Sequence, residues 1–197
     1  MTVAVHLVDH PLIADSLTRV RDKDTPNALF RQELERIGTL LIAEATRGLA
    51  THEVRVTTPL VATTGRALSS QPVVVPVLRA GLGFVHAAQE LLPSADVGFI
   101  GVSRDEATFQ PKPYVNKLPE HLAGRQCIVL DPMLATGGSL AHTCQLLLER
   151  GATGTTTGCD ESARPVVDTS GVVTRTSCVA SPRVASAISS VPIRSSS

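Results

Sequence analysis

The stretch 127–139, CIVLDPMLATGGS, holds the residues best suited to chemistry in this chain. A short apolar run leads into an acid, Asp131. Pro132 and a small-residue loop follow, Ala135-Thr136-Gly137-Gly138-Ser139. A run of that length suits a buried strand. A helical pattern comes next, with Leu140, Leu147 and Leu148 at turn spacings and Gly151 as its stop. Strand, acidic turn, glycine loop and helix in that order make a cradle for a phosphate. Glycines let the backbone approach closely and turn N–H groups inward. Thr136 and Ser139 add hydroxyl donors, and the helix N-terminus adds the positive end of its dipole. Asp131, at the strand's carboxyl end, is placed to accept hydrogen bonds from sugar hydroxyls. Two common phosphate loops are excluded. No lysine follows the glycines, and no G-x-G-x-x-G opens a helix.

Two arginines belong beside this loop. Arg79 stands between the apolar run Val73–Leu78 and the glycines Gly81 and Gly83. Its planar fork matches a pyrophosphate, and its charge persists at any working pH. Arg104 closes a second apolar run, 97–103. Singly, an arginine at a strand end is commonly a surface residue and a bare TGGS is commonly a flexible turn. His6, Asp9 and His10 do not add up to a metal site. A capped turn before Pro11 accounts for them, and no ligand spacing elsewhere supports a metal.

The elements that must position these residues read as three strand–helix units, beginning at Val73, Val97 and Ile128. Strands alternating with helices imply an α/β fold with a parallel sheet. In such sheets ligands bind beyond the carboxyl ends of the strands. Arg79, Arg104 and Asp131 each follow a strand's last residue, so one crevice can hold all three. Before them come a short strand near 3–7, a helix over 13–20, and the longest helix. Thr25 is the expected N-cap of that helix, Pro26 its first residue and Gly48 its stop. Leu29, Phe30, Leu34, Ile37, Leu40, Leu41 and Ala45 form its apolar stripe. A strand is expected over 54–57, ended by Pro59, and nothing is assigned to 58–71. The turn after Arg79 should enter a helix that runs to about Leu92.

The chain has 197 residues and is 43% hydrophobic, which suits one cored domain with an appendage. Its formal net charge is zero, without the basic excess of a non-specific nucleic-acid binder. No apolar run approaches the roughly 20 residues of a membrane span. The opening MTVAVHLVDHPL lacks a basic n-region and carries Asp9, so it does not read as a signal peptide, and a cytoplasmic location is expected. Cys127, Cys144, Cys159 and Cys178 show no C-x-x-C spacing and read as reduced thiols. No internal repeat is evident.

HLVDHPL at 6–12, RDKDT at 21–25, LRAGLG at 78–83 and DPMLATGGS at 131–139 together resemble the uracil phosphoribosyltransferases, a branch of the type I phosphoribosyltransferases. Most branches carry two adjacent acids in the loop; here the second position is Pro132. The resemblance implies a parallel sheet flanked by helices. It implies transfer from phosphoribosyl pyrophosphate (PRPP) to uracil, giving UMP and pyrophosphate, with Mg²⁺ accompanying PRPP. By the same resemblance Arg79 and Arg104 contact the pyrophosphate. Asp131, Pro132, Met133, Leu134, Ala135, Thr136, Gly137, Gly138 and Ser139 hold the ribose and 5′-phosphate, with Asp131 and Arg104 as catalytic residues. No protein metal ligand is assigned. The stretch 109–119, FQPKPYVNKLP, is similar to the family's hood loop, with Tyr114 and Lys117 at its tip, closing over the site. A GTP effector and a homo-oligomer are further implications.

The resemblance runs from about residue 6 to 158, which is taken as the phosphoribosyltransferase-like domain. Residues 159–197 are a Ser/Arg/Val-rich tail without leucine, lysine or aromatic residues. The family's glycine-rich uracil loop is not matched there; Val191-Pro192-Ile193 is too weak a likeness, so no uracil-binding residue is assigned. The expectation is a frameshifted or otherwise altered reading, incomplete in fold or disordered. It brings a rival function: a PRPP-binding regulator or inactive remnant that cannot orient uracil.

Overall fold

The computed structural model describes residues 5–104, 111–132, 138–159 and 176–178. In chain order the elements are β1 (Val5–Leu7), α1 (Pro11–Arg21), α2 (Asn27–Ala45), β2 (Thr51–Thr57), β3 (Ala62–Leu68) and β4 (Val73–Leu78). A 3₁₀ turn (Ala80–Phe84) leads to α3 (Val85–Leu91), β5 (Asp96–Val97), β6 (Phe99–Arg104) and β7 (Pro111–Lys117). Then come β8 (Gln126–Leu130), α4 (Gly138–Glu149), β9 (Gly154–Cys159) and β10 (Thr176–Cys178).

One sheet carries the strands in the order β1-β10-β9-β8-β4-β6-β7, with β5 also on β4. Every pairing in it is parallel except β6 with β7. The expected α/β sheet is therefore present, with an antiparallel edge. Its central strands are apolar almost throughout, as strands covered on both faces must be. Side chains alternate between the faces with period two. Val73, Val75, Val77, Cys127 and Val129 meet Leu140, Cys144 and Leu147 of α4. Val74, Ile128 and Leu130 meet Ile13, Leu17, Ile37, Leu41, Ile42 and Phe84 on the other side. Asp15, Arg19, Glu33 and Arg36 lace α1 to α2, with Arg19 to Glu33 at 2.7 Å and Arg19 to Asp15 at 3.0 Å.

Several sequence expectations are corrected. α2 starts at Asn27 with Pro26 as N-cap and no side-chain cap. The Thr25 hydroxyl instead donates to the Arg19 carbonyl at 2.6 Å. The helix ends at Ala45, before Gly48, where the Thr46 hydroxyl folds back on the Ile42 carbonyl at 2.8 Å. The unassigned 58–71 contains β3, a hairpin partner of β2. Its residues, ATTGRAL, give no apolar alternation because the ribbon is largely exposed on both faces. The expected strand 97–103 is broken at Gly98, where a Cβ would meet Leu118 Cδ2 at 2.9 Å and Pro119 Cδ at 3.0 Å. The second strand–helix unit is not matched: among the described residues β6 is followed by β7, its antiparallel partner. The hood-loop stretch is thus partly a strand. Tyr114 lies within it and Lys117 ends it opposite Phe99, so neither is at a tip. Pro111 and Pro113 hid the strand, yet proline is tolerated on an edge. Within the tail, β10 inserts between β9 and β1.

Candidate active site

β8, β4 and β6 are neighbours, and Asp131, Arg79 and Arg104 come at their carboxyl ends. Pro76 pairs with Leu130 and Leu78 with Gly101. Asp131 is thus one residue past the Pro76 level and Arg79 three past it, an axial offset of two residues or about 6.6 Å. β4 is the middle strand, so Arg79 emerges between the other two. Arg104 is itself the last residue of β6, not the residue after it, and its backbone pairs with Pro111.

The Arg79 turn is tightly built. The Leu78–Arg79 peptide is cis, and the Leu82 amide donates to the Arg79 carbonyl at 3.2 Å. Gly81 and Phe84 are buried while Arg79 itself is exposed, which suits a side chain meant for a soluble anion. Asp131 is only 6% exposed. A carboxylate that buried is costly unless partnered. Pro132 beside it is buried as well.

Met133, Leu134, Ala135, Thr136 and Gly137 lie outside the described residues. Gly138 and Ser139 begin α4. Their position in its first turn leaves backbone N–H groups without helical acceptors, the arrangement that attracts anions. The Thr143 hydroxyl donates to the Ser139 carbonyl at 2.9 Å, tying off that turn. Phe109, Gln110 and the rest of 105–110 also fall outside the described residues.

Cys127 and Cys144 are free and buried, as core thiols. Burial pushes them up to about 11 and about 12, so neither is a ready nucleophile. Cys159 and Cys178 are register partners on β9 and β10.

Sequence reasoning missed one cluster. Glu35 on α2 and His86 and Glu90 on α3 have ligand-capable atoms within 4.8 Å of one another. His86 Nδ1 is hydrogen-bonded to Glu35 Oε1. The i,i+4 spacing of His86 and Glu90 was readable; the approach of Glu35 was not. All three are on the surface side of the α2–α3 contact and act there as an ionic clip. A shallow depression on the β2–β3 ribbon, lined by Glu53, Val54, Arg55, Ala62, Thr63 and Thr64, shares no residue with the strand ends.

The family model described as uracil phosphoribosyltransferase matches residues 7–156. A uracil phosphoribosyltransferase of Corynebacterium diphtheriae is 51% identical over 164 residues, covering 83% of this chain and 78% of the relative. One from Cutibacterium acnes is 52% identical over 149 residues, covering 75% and 70%. A solved protein of Aquifex aeolicus superposes with a TM-score of 0.73 at 33% identity, over 80% of this chain and 77% of its own. A hypoxanthine-guanine phosphoribosyltransferase of Bacillus anthracis reaches 0.50 at 15% identity, over 76% of each chain, a likeness of fold alone.

Proposed function

This chain belongs to the uracil phosphoribosyltransferase family of glycosyltransferase enzymes, and on that premise we propose that it transfers the phosphoribosyl group of PRPP to uracil, forming UMP and pyrophosphate in pyrimidine salvage. The observation that carries the reading is the adjacency of β8, β4 and β6, which brings an acid and two arginines to one edge of the sheet.

In this mechanism the bond from ribose C1 to the pyrophosphate oxygen breaks, with its electrons leaving on the pyrophosphate. The bond from C1 to uracil N1 forms, and the N1 proton is released. Positive charge develops on the ribose in between. Arg79 and Arg104 grip the departing pyrophosphate, and Asp131 accepts from the ribose hydroxyls. Backbone amides at the start of α4 hold the 5′-phosphate. Catalysis of this kind is mostly positioning and charge stabilisation.

Mg²⁺ fits as an ion brought by PRPP. It prefers oxygen and binds through one or two carboxylates plus substrate phosphates. With Pro132 where a second acid would stand, Asp131 is the loop's single carboxylate, so the loop builds no cage and the phosphates of PRPP would hold the ion. When bound, Mg²⁺ supplies charge neutralisation on the pyrophosphate. A cytoplasmic location, a GTP effector and a homo-oligomer belong to the same proposal and rest on the family resemblance.

The second reading is a PRPP-binding regulator or inactive remnant. The observation favouring it is that the family match stops at residue 156, with a tail in which no uracil loop is recognisable. UMP formation from uracil and PRPP, measured beside a PRPP titration, separates the two. Turnover supports the transferase; saturable binding without turnover supports the remnant.

A further inference from the structure

Gly81 lies two residues after Arg79, buried at the base of the turn. A Cβ at this position would fall 2.4 Å from the Leu130 carbonyl oxygen and 3.0 Å from both Cα and Cβ of Pro76. Leu130 is the residue before Asp131, and Pro76 is its register partner. The Arg79 turn therefore rests directly on the end of the strand that delivers Asp131, with no side chain between them. The obstacles are a backbone carbonyl and a buried proline, neither of which can swing away as the end of a flexible side chain would.

We propose that Gly81 is a positioning residue that sets the spacing between the pyrophosphate-gripping half of the site and its ribose-phosphate half. The inference rests on the PRPP reading above. PRPP spans both halves, so its binding depends on their separation as well as on each half. A methyl group at position 81 forces the turn away from β8 by on the order of 1 Å, a misplacement that can cost about a hundredfold. Separate fragments do not feel the spacing, because each binds one half; only the linked ligand gains from simultaneous engagement.

The test uses the full chain and three ligands: pyrophosphate, ribose 5-phosphate and PRPP, each titrated calorimetrically against wild type and Gly81→Ala. The expected result is a rise of roughly a hundredfold in the PRPP Kd, with both fragment Kd values changed by less than about threefold. Unchanged PRPP affinity overturns the inference, as does a PRPP loss matched by an equal loss for either fragment, which would make Gly81 a support of that fragment's half and not of the spacing. Wild-type protein that binds none of the three overturns the PRPP reading itself, before any variant is compared. If Gly81→Ala does not fold, Pro76→Gly opens the other side of the same seat without adding a heavy atom. It is read the same way: PRPP weakened selectively supports the spacing role, and PRPP unchanged overturns it.

Discussion

The ring of Tyr114 on β7 lies across Gly101 on β6, where a Cβ would come within 2.6 Å of ring carbon Cζ. Gly101 is the register partner of Leu78, the residue before Arg79. The ring is thus one strand away from the Arg79 turn, and it remains 54% exposed. Tyr114 is the chain's single tyrosine, and there is no tryptophan. Tyrosine emission therefore reports on this one position. If the 109–119 stretch closes over PRPP, as its likeness to the hood loop implies, saturating PRPP should lower the acrylamide quenching constant of that emission. An unchanged constant would count against closure.

A pH effect follows from the α2–α3 clip. The hydrogen bond that the protonated ring donates to Glu35, then the charges of Glu35 and Glu90, raise the His86 pKa above its ordinary value. A group whose folded-state pKa is raised favours folding when protonated. Its contribution is complete below the unfolded imidazole value and is lost as pH rises through the raised one. The ring is exposed, so the effect is small and screened by salt. The denaturation midpoint of wild type relative to His86→Ala should fall as pH rises above the ordinary imidazole value of about 6.5. High ionic strength should shrink the difference, and a rise with pH would refute the sign.

How much could be read beforehand varied with burial. β4 was legible to the residue because both its faces are covered, which writes an unbroken apolar run. β8 was placed within two residues, and α1 and α2 within a few. β3 was invisible, since a ribbon exposed on both faces needs no apolar code. β7 was misread because its edge position tolerates prolines that usually signal a loop. The placement of Arg79 and Asp131 at strand ends was legible because turn-forming residues follow the apolar runs there. The role of Gly81 was not, because the atom it makes room for, the Leu130 carbonyl, is 49 residues away in sequence (81 to 130). Glu35 and His86 are likewise joined only by the packing of α2 on α3.

Gly38 and Gly83 make a paired test of that packing. At Gly38 on α2 a Cβ would fall 2.6 Å from Cδ1 of the fully buried Phe84, at the end of the 3₁₀ turn. Overpacking costs about 1–3 kcal/mol, while replacing glycine in a helix returns up to about 1 kcal/mol. Gly38→Ala should therefore lose about 1 kcal/mol net. At Gly83 the obstacle is Cδ2 of Leu34, the movable end of a side chain, at 2.7 Å. Gly83→Ala should be nearly neutral in stability. Chemical denaturation of both variants checks the contrast; equal losses would sink it.

Asp131→Asn keeps the shape of the side chain and removes its charge. A charged hydrogen bond is worth about 1.5–3 kcal/mol, so PRPP affinity should fall roughly tenfold to a hundredfold. Pyrophosphate alone should bind almost as before, because the proposed contact is to the ribose. Unchanged PRPP affinity would remove Asp131 from the site.

Arg79→Lys separates charge from geometry. Arg79 is exposed, so the substitution leaves the core of the turn, Gly81 and Phe84, untouched, and thermal stability should be unchanged. Lysine keeps the positive charge but offers a point donor where the guanidinium offers a planar fork able to hold two oxygens at once. PRPP affinity should therefore drop about tenfold, close to the value of one charged hydrogen bond. Its dependence on salt should persist, because the number of charges meeting the pyrophosphate is the same. Arg79→Ala removes fork and charge together, so it should lose more affinity and flatten the salt dependence as well. Titrations of the three proteins across ionic strength decide the matter. A lysine variant that binds PRPP as wild type does would mean that Arg79 acts as a charge alone, and the bidentate role would fall.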